Sequence, residues 1–117
     1  MTVTAEQIAR TLDRREAGRR ERAAARAQHL LALLPEAARI LRLRYGAARV
    51  SLFGSLVNGD IREDSDVDLA VEGLEPSGYF AALTDLMTLF QAPVDLVRLE
   101  EAPSALRARI LAEGRSL

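Results

Sequence analysis

Residues 52–71 read LFGSLVNGDIREDSDVDLAV, with a glycine-serine pair closing one apolar run and two aspartates, Asp66 and Asp68, set inside the next. A carboxylate in a run that otherwise has the pattern of a buried strand is costly unless something compensates its charge. Side chains two apart in a strand share a face, so Asp66 and Asp68 are expected to project together while Val67, Leu69 and Val71 go to the other side. Such a pair, about 7 Å apart at Cα by the strand rise, can converge on one or two divalent cations. A third acid, Asp95, stands between Val94 and Leu96 in the later run PVDLVRLE and joins them if the two strands are neighbours. Oxygen-only ligands favour Mg²⁺ or Mn²⁺ over zinc. Two Mg²⁺ ions in that position can bind triphosphate oxygens, activate an attacking hydroxyl and stabilise departing pyrophosphate. Gly54 would let backbone N–H groups approach a phosphate, and Ser55 would add a hydroxyl donor at the opening of a helical turn.

The rest of the chain bounds this reading. At 117 residues, 49% hydrophobic and 28% charged, the composition is that of one globular domain, with a core of Leu, Val, Ile and Ala because only 4% is aromatic. Few aromatics leave few stacking platforms for single-stranded bases. The chain has no Cys, which excludes disulfides and thiolate chemistry. The N-terminal MTVTAEQIAR lacks the order of a signal peptide and LLALL is too short to span a membrane, so a cytoplasmic protein is expected. All 16 basic residues are Arg, and most lie at or before Arg49, giving a basic arm ahead of an acidic core.

Thr4 and Gln7 form a capping-box pattern, and Ile8, Leu12, Ala23, Ala27, Leu30, Leu31 and Leu34 recur at helical spacing. Pro35 suits the first turn of a second helix ending at Gly46, buried through Ala38, Leu41 and Tyr45 or through Ile40 and Leu43. Strands are expected over 48–53, over SDVDLAVEG (65–73) and over PVDLVRLE (93–100). Between them, a helix carries Phe80, Leu83, Leu86, Met87 and Phe90, and a last helix turns Leu106, Ile110 and Leu111 inward before Gly114. This order predicts a small α/β sheet covered by helices.

The segment FGSLVNGDIREDSDVDLAV, with Gly-Ser-x10-Asp-x-Asp, followed by PVDLV, resembles the minimal nucleotidyltransferases of the DNA polymerase β-like superfamily. The resemblance implies a small mixed sheet of order 1-2-3 flanked by helices, with residues 34–117 as the nucleotidyltransferase domain and 1–33 as an added helical arm. It implies Asp66, Asp68 and Asp95 as catalytic and metal-holding acids, Gly54 and Ser55 as nucleotide-binding residues, Mg²⁺ (or Mn²⁺) as cofactor and ATP as donor. Many relatives carry Arg in the turn after Gly-Ser, where this chain has Leu56, Val57 and Asn58. The triphosphate is then left to Arg62, Arg49 or a partner. Characterised members act as antitoxins that transfer AMP to a tyrosine of a HEPN ribonuclease toxin, which implies such a toxin as partner and no direct nucleic-acid binding. The alternatives are an antitoxin that masks its toxin by contact alone, and a transferase acting on small molecules of the aminoglycoside type.

Taken singly, Asp-x-Asp is usually a solvated loop and Gly-Ser usually a turn. Their order, between apolar runs and ahead of Asp95, is what favours a site. His29, the lone histidine, reads as an ordinary helix residue, and without a Ser-His-acid arrangement Ser55 is not a covalent nucleophile. Asp60, Glu63 and Asp64 read as loop acids.

Overall fold

The first helix begins where its cap does. In the computed structural model, which describes residues 2–117, the Gln7 N–H donates to Thr4 Oγ1 at 3.1 Å and the Thr4 N–H donates to Gln7 Oε1 at 2.9 Å, closing a capping box. Helix α1 then runs from Ala5 to Tyr45 and stops at Gly46, whose φ of 71° is the left-handed conformation that glycine adopts without strain. The expected break at Pro35 is absent, and the two predicted helices are one. Proline inside a helix forfeits one backbone hydrogen bond. Burial on either side of it offsets that loss: Leu30, Leu34, Ala37, Ala38 and Leu41 all lie in the core. Of the two faces the sequence left open, the one with Ala38 and Leu41 is buried, and Leu43 is 73% exposed.

Four strands follow: β1 (Arg49–Phe53), β2 (Val67–Glu72), β3 (Val94–Arg98) and β4 (Arg115–Ser116). They form a mixed sheet of order β3-β2-β1-β4, with β1 antiparallel to β2 and β4, and β2 parallel to β3. The predicted order 1-2-3 is therefore contained in the sheet, and the short β4 extends it. Helix α2 is a single turn (Ser55–Asn58), α3 spans Tyr79–Phe90 and α4 spans Ser104–Glu113.

Alternation along the strands sorts the two faces. Val50, Leu52, Val67, Leu69, Val71 and Leu96 enter the main core with α1 and α3, where Leu86 and Phe90 are almost wholly buried. The opposite face is thinner: Ala70 packs with Leu99 and Ile110, bordered by Phe53, Val97 and Leu106. Strand periodicity puts Asp68 and Asp95 on this second face, beside α4. The α1–α3 contact is fastened by Asp85, which accepts from the Tyr45 hydroxyl at 2.5 Å and from Arg44 at 3.0 Å.

Several side chains expected in the core are outside it. Phe80 is 77% exposed, and Met87 and Leu111 also face solvent, because α3 and α4 each bury a narrower stripe than their apolar residues mark. Ile8 and Leu12 are exposed as well. Nothing before Ala23 in α1 is buried, and the part of the helix ahead of Arg22 projects from the body and stretches the molecule to 64 × 29 × 19 Å. Among the described residues, no helix is long and apolar enough to cross a membrane.

This division has a measurable consequence. Leu41→Ala removes a fully buried side chain and is expected to cost about 2–5 kcal/mol. Leu12→Ala, on the projecting part, should stay within about 0.5 kcal/mol of the parent chain in urea unfolding. A large loss from Leu12→Ala would mean that the arm packs against the body.

Candidate active site

Each acid is placed by the sheet register. Asp68 is the second residue of β2 and its direct partners are Phe53 of β1 and Asp95 of β3. Two carboxylates thus stand as cross-strand neighbours, an arrangement that is unfavourable for like charges. Asp66 lies just ahead of β2, outside the strand proper, and is exposed. The expectation that Asp66 and Asp68 sit together in one strand is corrected by a single residue: the ladder starts at Val67, whose N–H donates to the Pro93 carbonyl at 3.1 Å.

The end of β1 completes the arrangement. Gly54 has φ 77° and ψ −151°, and a Cβ placed there would lie 2.1 Å from Asp68 Oδ2. Any other residue would be strained and would collide with the carboxylate, so the glycine is dictated by the close approach of Asp68. Ser55 opens α2 half-buried next to it, and Gly59 closes the turn with φ 81°.

Electrostatics reflects the crowding. Burial, then the charges of Asp95 and Asp66, push the Asp68 carboxyl up from 3.8 to about 6. Both neighbouring charges are therefore felt at Asp68, although among the described residues no three acidic or histidine side chains close into a ready cation cage. The all-carboxylate donor set and the mutual repulsion at Asp68 fit a hard divalent cation such as Mg²⁺.

The phosphate-ligand candidates separate clearly. Arg49 is at the start of β1, the far end from Gly54, and forms an ion pair with Glu72 at 3.6 Å. The sequence-based suggestion that it reaches the triphosphate is overturned by strand direction. Arg62 is exposed on the loop before Asp66, and its backbone N–H donates to Ser65 Oγ at 2.7 Å. A residue the sequence did not single out is Arg109 of α4. With Phe53, Gly54, Asn58 and Glu113 it lines a cleft of about 170 Å³ at the glycine, and among the described residues it has no carboxylate within 4.0 Å. Its only signal in the sequence is a helical position one turn before Glu113, which says nothing until α4 is docked on the sheet. His29 is an exposed residue of α1, as expected.

Comparison with known proteins agrees with this geometry. Residues 37–117 match the family model described as "Polymerase beta, Nucleotidyltransferase". A "Protein adenylyltransferase MntA" from Thermococcus cleftensis is 40% identical over 76 residues, covering 62% of this chain and 77% of that protein. A solved minimal nucleotidyltransferase is 33% identical, with a TM-score of 0.63 over 75% of this chain and 95% of the other. The crystal structure of a toxin-antitoxin with AMP-PNP is 26% identical, with a TM-score of 0.61 over 68% of this chain and 67% of that one.

The raised Asp68 carboxyl makes stability depend on pH in a definite direction. Between 3.8 and about 6 the folded chain holds a proton that the unfolded chain has released, so rising pH costs stability there. In metal-free buffer, the melting temperature of Asp68→Asn relative to the parent chain should climb from pH 4 to pH 6 and level off above pH 7. Added Mg²⁺ should then stabilise the parent and not the variant. A difference independent of pH would show that neither burial nor its neighbours' charge acts on the Asp68 carboxyl.

Proposed function

Because the chain belongs to the polymerase beta nucleotidyltransferase family, we propose that Asp66, Asp68 and Asp95 are its catalytic and metal-holding acids, and that it transfers a nucleoside monophosphate, AMP from ATP, to a hydroxyl group. The observation that carries this reading is the pairing of Asp68 with Asp95 across β2 and β3, with the Asp68 carboxylate packed against Gly54. Asp66 and Asp68, with Asp95 beside them, would hold Mg²⁺, one ion or two. When bound, the metal supplies charge neutralisation on the triphosphate and a lowered pKa for the acceptor hydroxyl.

The chain's own residues then divide the remaining work. Gly54, lacking a side chain, gives the polyphosphate access to the backbone, and the Ser55 hydroxyl donates to a phosphate oxygen. Arg109 is the cation that the neighbouring cleft offers to the outer phosphates, with Arg62 the candidate on the loop before β2. Asp95 is exposed on β3, an edge strand of the sheet, and so is open to an acceptor approaching from outside. It accepts the proton of the acceptor hydroxyl as that oxygen bonds to the α-phosphorus and the bond to the departing pyrophosphate breaks.

The acceptor is proposed to be a tyrosine of a HEPN ribonuclease toxin, which makes the protein a cytoplasmic antitoxin. The similarity to a protein adenylyltransferase and to a toxin-antitoxin structure containing AMP-PNP supports this choice. Residues 34–117 would carry the transferase and residues 1–33 the added arm.

Incubation of the protein and the product of its neighbouring gene with Mg²⁺ and α-labelled ATP should move label onto the neighbour. Asp66→Asn and Asp95→Asn should each slow transfer by about 10²–10⁴-fold. Arg109→Gln should raise the KM for ATP by about tenfold and leave AMP affinity unchanged, since it removes a charge-assisted bond to the outer phosphates. Toxin neutralisation that persists in both aspartate variants, with no label transferred, would replace the enzyme by an antitoxin that acts by contact.

A further inference from the structure

The loop from Gly59 to Asp66 has no regular structure, yet it delivers Asp66 to the site, and its fastening comes from an unexpected quarter. Arg26 Nε, at the middle of α1, donates to the Ser65 carbonyl at 3.0 Å in a partly buried contact. One helical turn earlier, Arg22 grips Glu63 with two donors, Nε to Oε2 at 3.0 Å and Nη2 to Oε1 at 3.2 Å. Residues four apart lie on one helix face, so the two arginines act on the loop side by side. Ala23 and Ala27, small and buried beside them, let the helix approach closely.

The loop is also braced from within. The Ser65 N–H donates to the Arg62 carbonyl at 3.2 Å, and the Ser65 hydroxyl accepts from the Arg62 N–H at 2.7 Å. On the other side of Asp66, the Val67 N–H is held by the Pro93 carbonyl, two residues before Asp95. Asp66 therefore sits between two anchored peptide groups, one tied to α1 and the other to the chain entering β3. Fixing the peptide on each side limits the directions its carboxylate can take.

We infer that Arg26, assisted by the Arg22–Glu63 pair, is a positioning residue for Asp66, and that the N-terminal helix is thereby a working part of the site although both arginines lie outside the segment matched to the family. The inference rests on the proposed role of Asp66 in holding a divalent cation. Both partners of the Arg22–Glu63 pair are largely exposed, and exposed ion pairs add little to global stability. The effect of the clasp thus falls on geometry, in the way that groups behind a metal ligand set its orientation.

The full-length chain allows a direct test with Arg26→Ala, Arg26→Lys and Arg22→Ala. Amide exchange over residues 59–67 should accelerate in Arg26→Ala, and Mn²⁺ affinity, followed by water-proton relaxation in the presence of ATP, should fall by about tenfold. The melting temperature should change little, kcat should drop more than the KM for ATP rises, and Arg22→Ala should show the same pattern more weakly. Arg26→Lys keeps a donor and should recover most of the Mn²⁺ affinity. Parental loop exchange and Mn²⁺ affinity in Arg26→Ala would overturn the inference, as would a lysine variant as impaired as the alanine one. A parent chain that binds no Mn²⁺ with ATP would overturn the transferase reading itself, and this role with it.

Discussion

The structure turns on the contact between a carboxylate and a glycine. Asp68 stands where β1, β2 and β3 meet, so close to Gly54 that a methyl group would not fit between them. Burial there, and then the like charges of Asp95 across the strands and Asp66 along the chain, push its carboxyl up to about 6. A sheet can tolerate this only because its other face is secured. Val50, Leu52, Val67, Leu69 and Val71 are fully buried against α1 and α3, and that apolar face holds the strands in register while the acids crowd on the reverse side.

The same alternation explains why so much could be read from one stretch of sequence. A period of two in VDLAV and VDLV fixes which side chains share a face, and the positions of Gly54, Asp68 and Asp95 follow once the strands pair. Long-range facts were not legible in that way. Pro35 reads locally as a helix start, but tertiary burial of Leu34, Ala37 and Leu41 carries the helix through it. Strand β4 has only two residues and no periodicity of its own; it exists because β1 offers an edge. Phe80, Met87 and Leu111 have helical spacing, yet a sheet this narrow leaves no room to cover them.

The residues proposed to serve the site from outside the motif were the least legible. Arg22 closes an almost wholly charged run and Arg26 stands among alanines just after it, a pattern that in isolation describes a solvated face, and most of the run is solvated. Only the docking of α1 brings those two against the loop before Asp66. Arg109 likewise acquires meaning only from the packing of α4 beside Gly54. The segment matched to the family holds the acids, the glycine and Arg109, whereas Arg22 and Arg26 lie ahead of it.

The central claim is that the acids flanking and entering β2, together with their partner on β3, form one cation site beside Gly54. A crystal structure of the protein with Mn²⁺ and a non-hydrolysable ATP analogue tests it most directly, because anomalous scattering identifies the ion without reference to activity. The account predicts manganese about 2.1 Å from carboxylate oxygens of Asp66 and Asp68, Asp95 turned toward the same pocket, and the phosphates against Gly54 and Ser55. Manganese bound away from Asp68, or Asp95 pointing out of the pocket with the nucleotide in place, would contradict it.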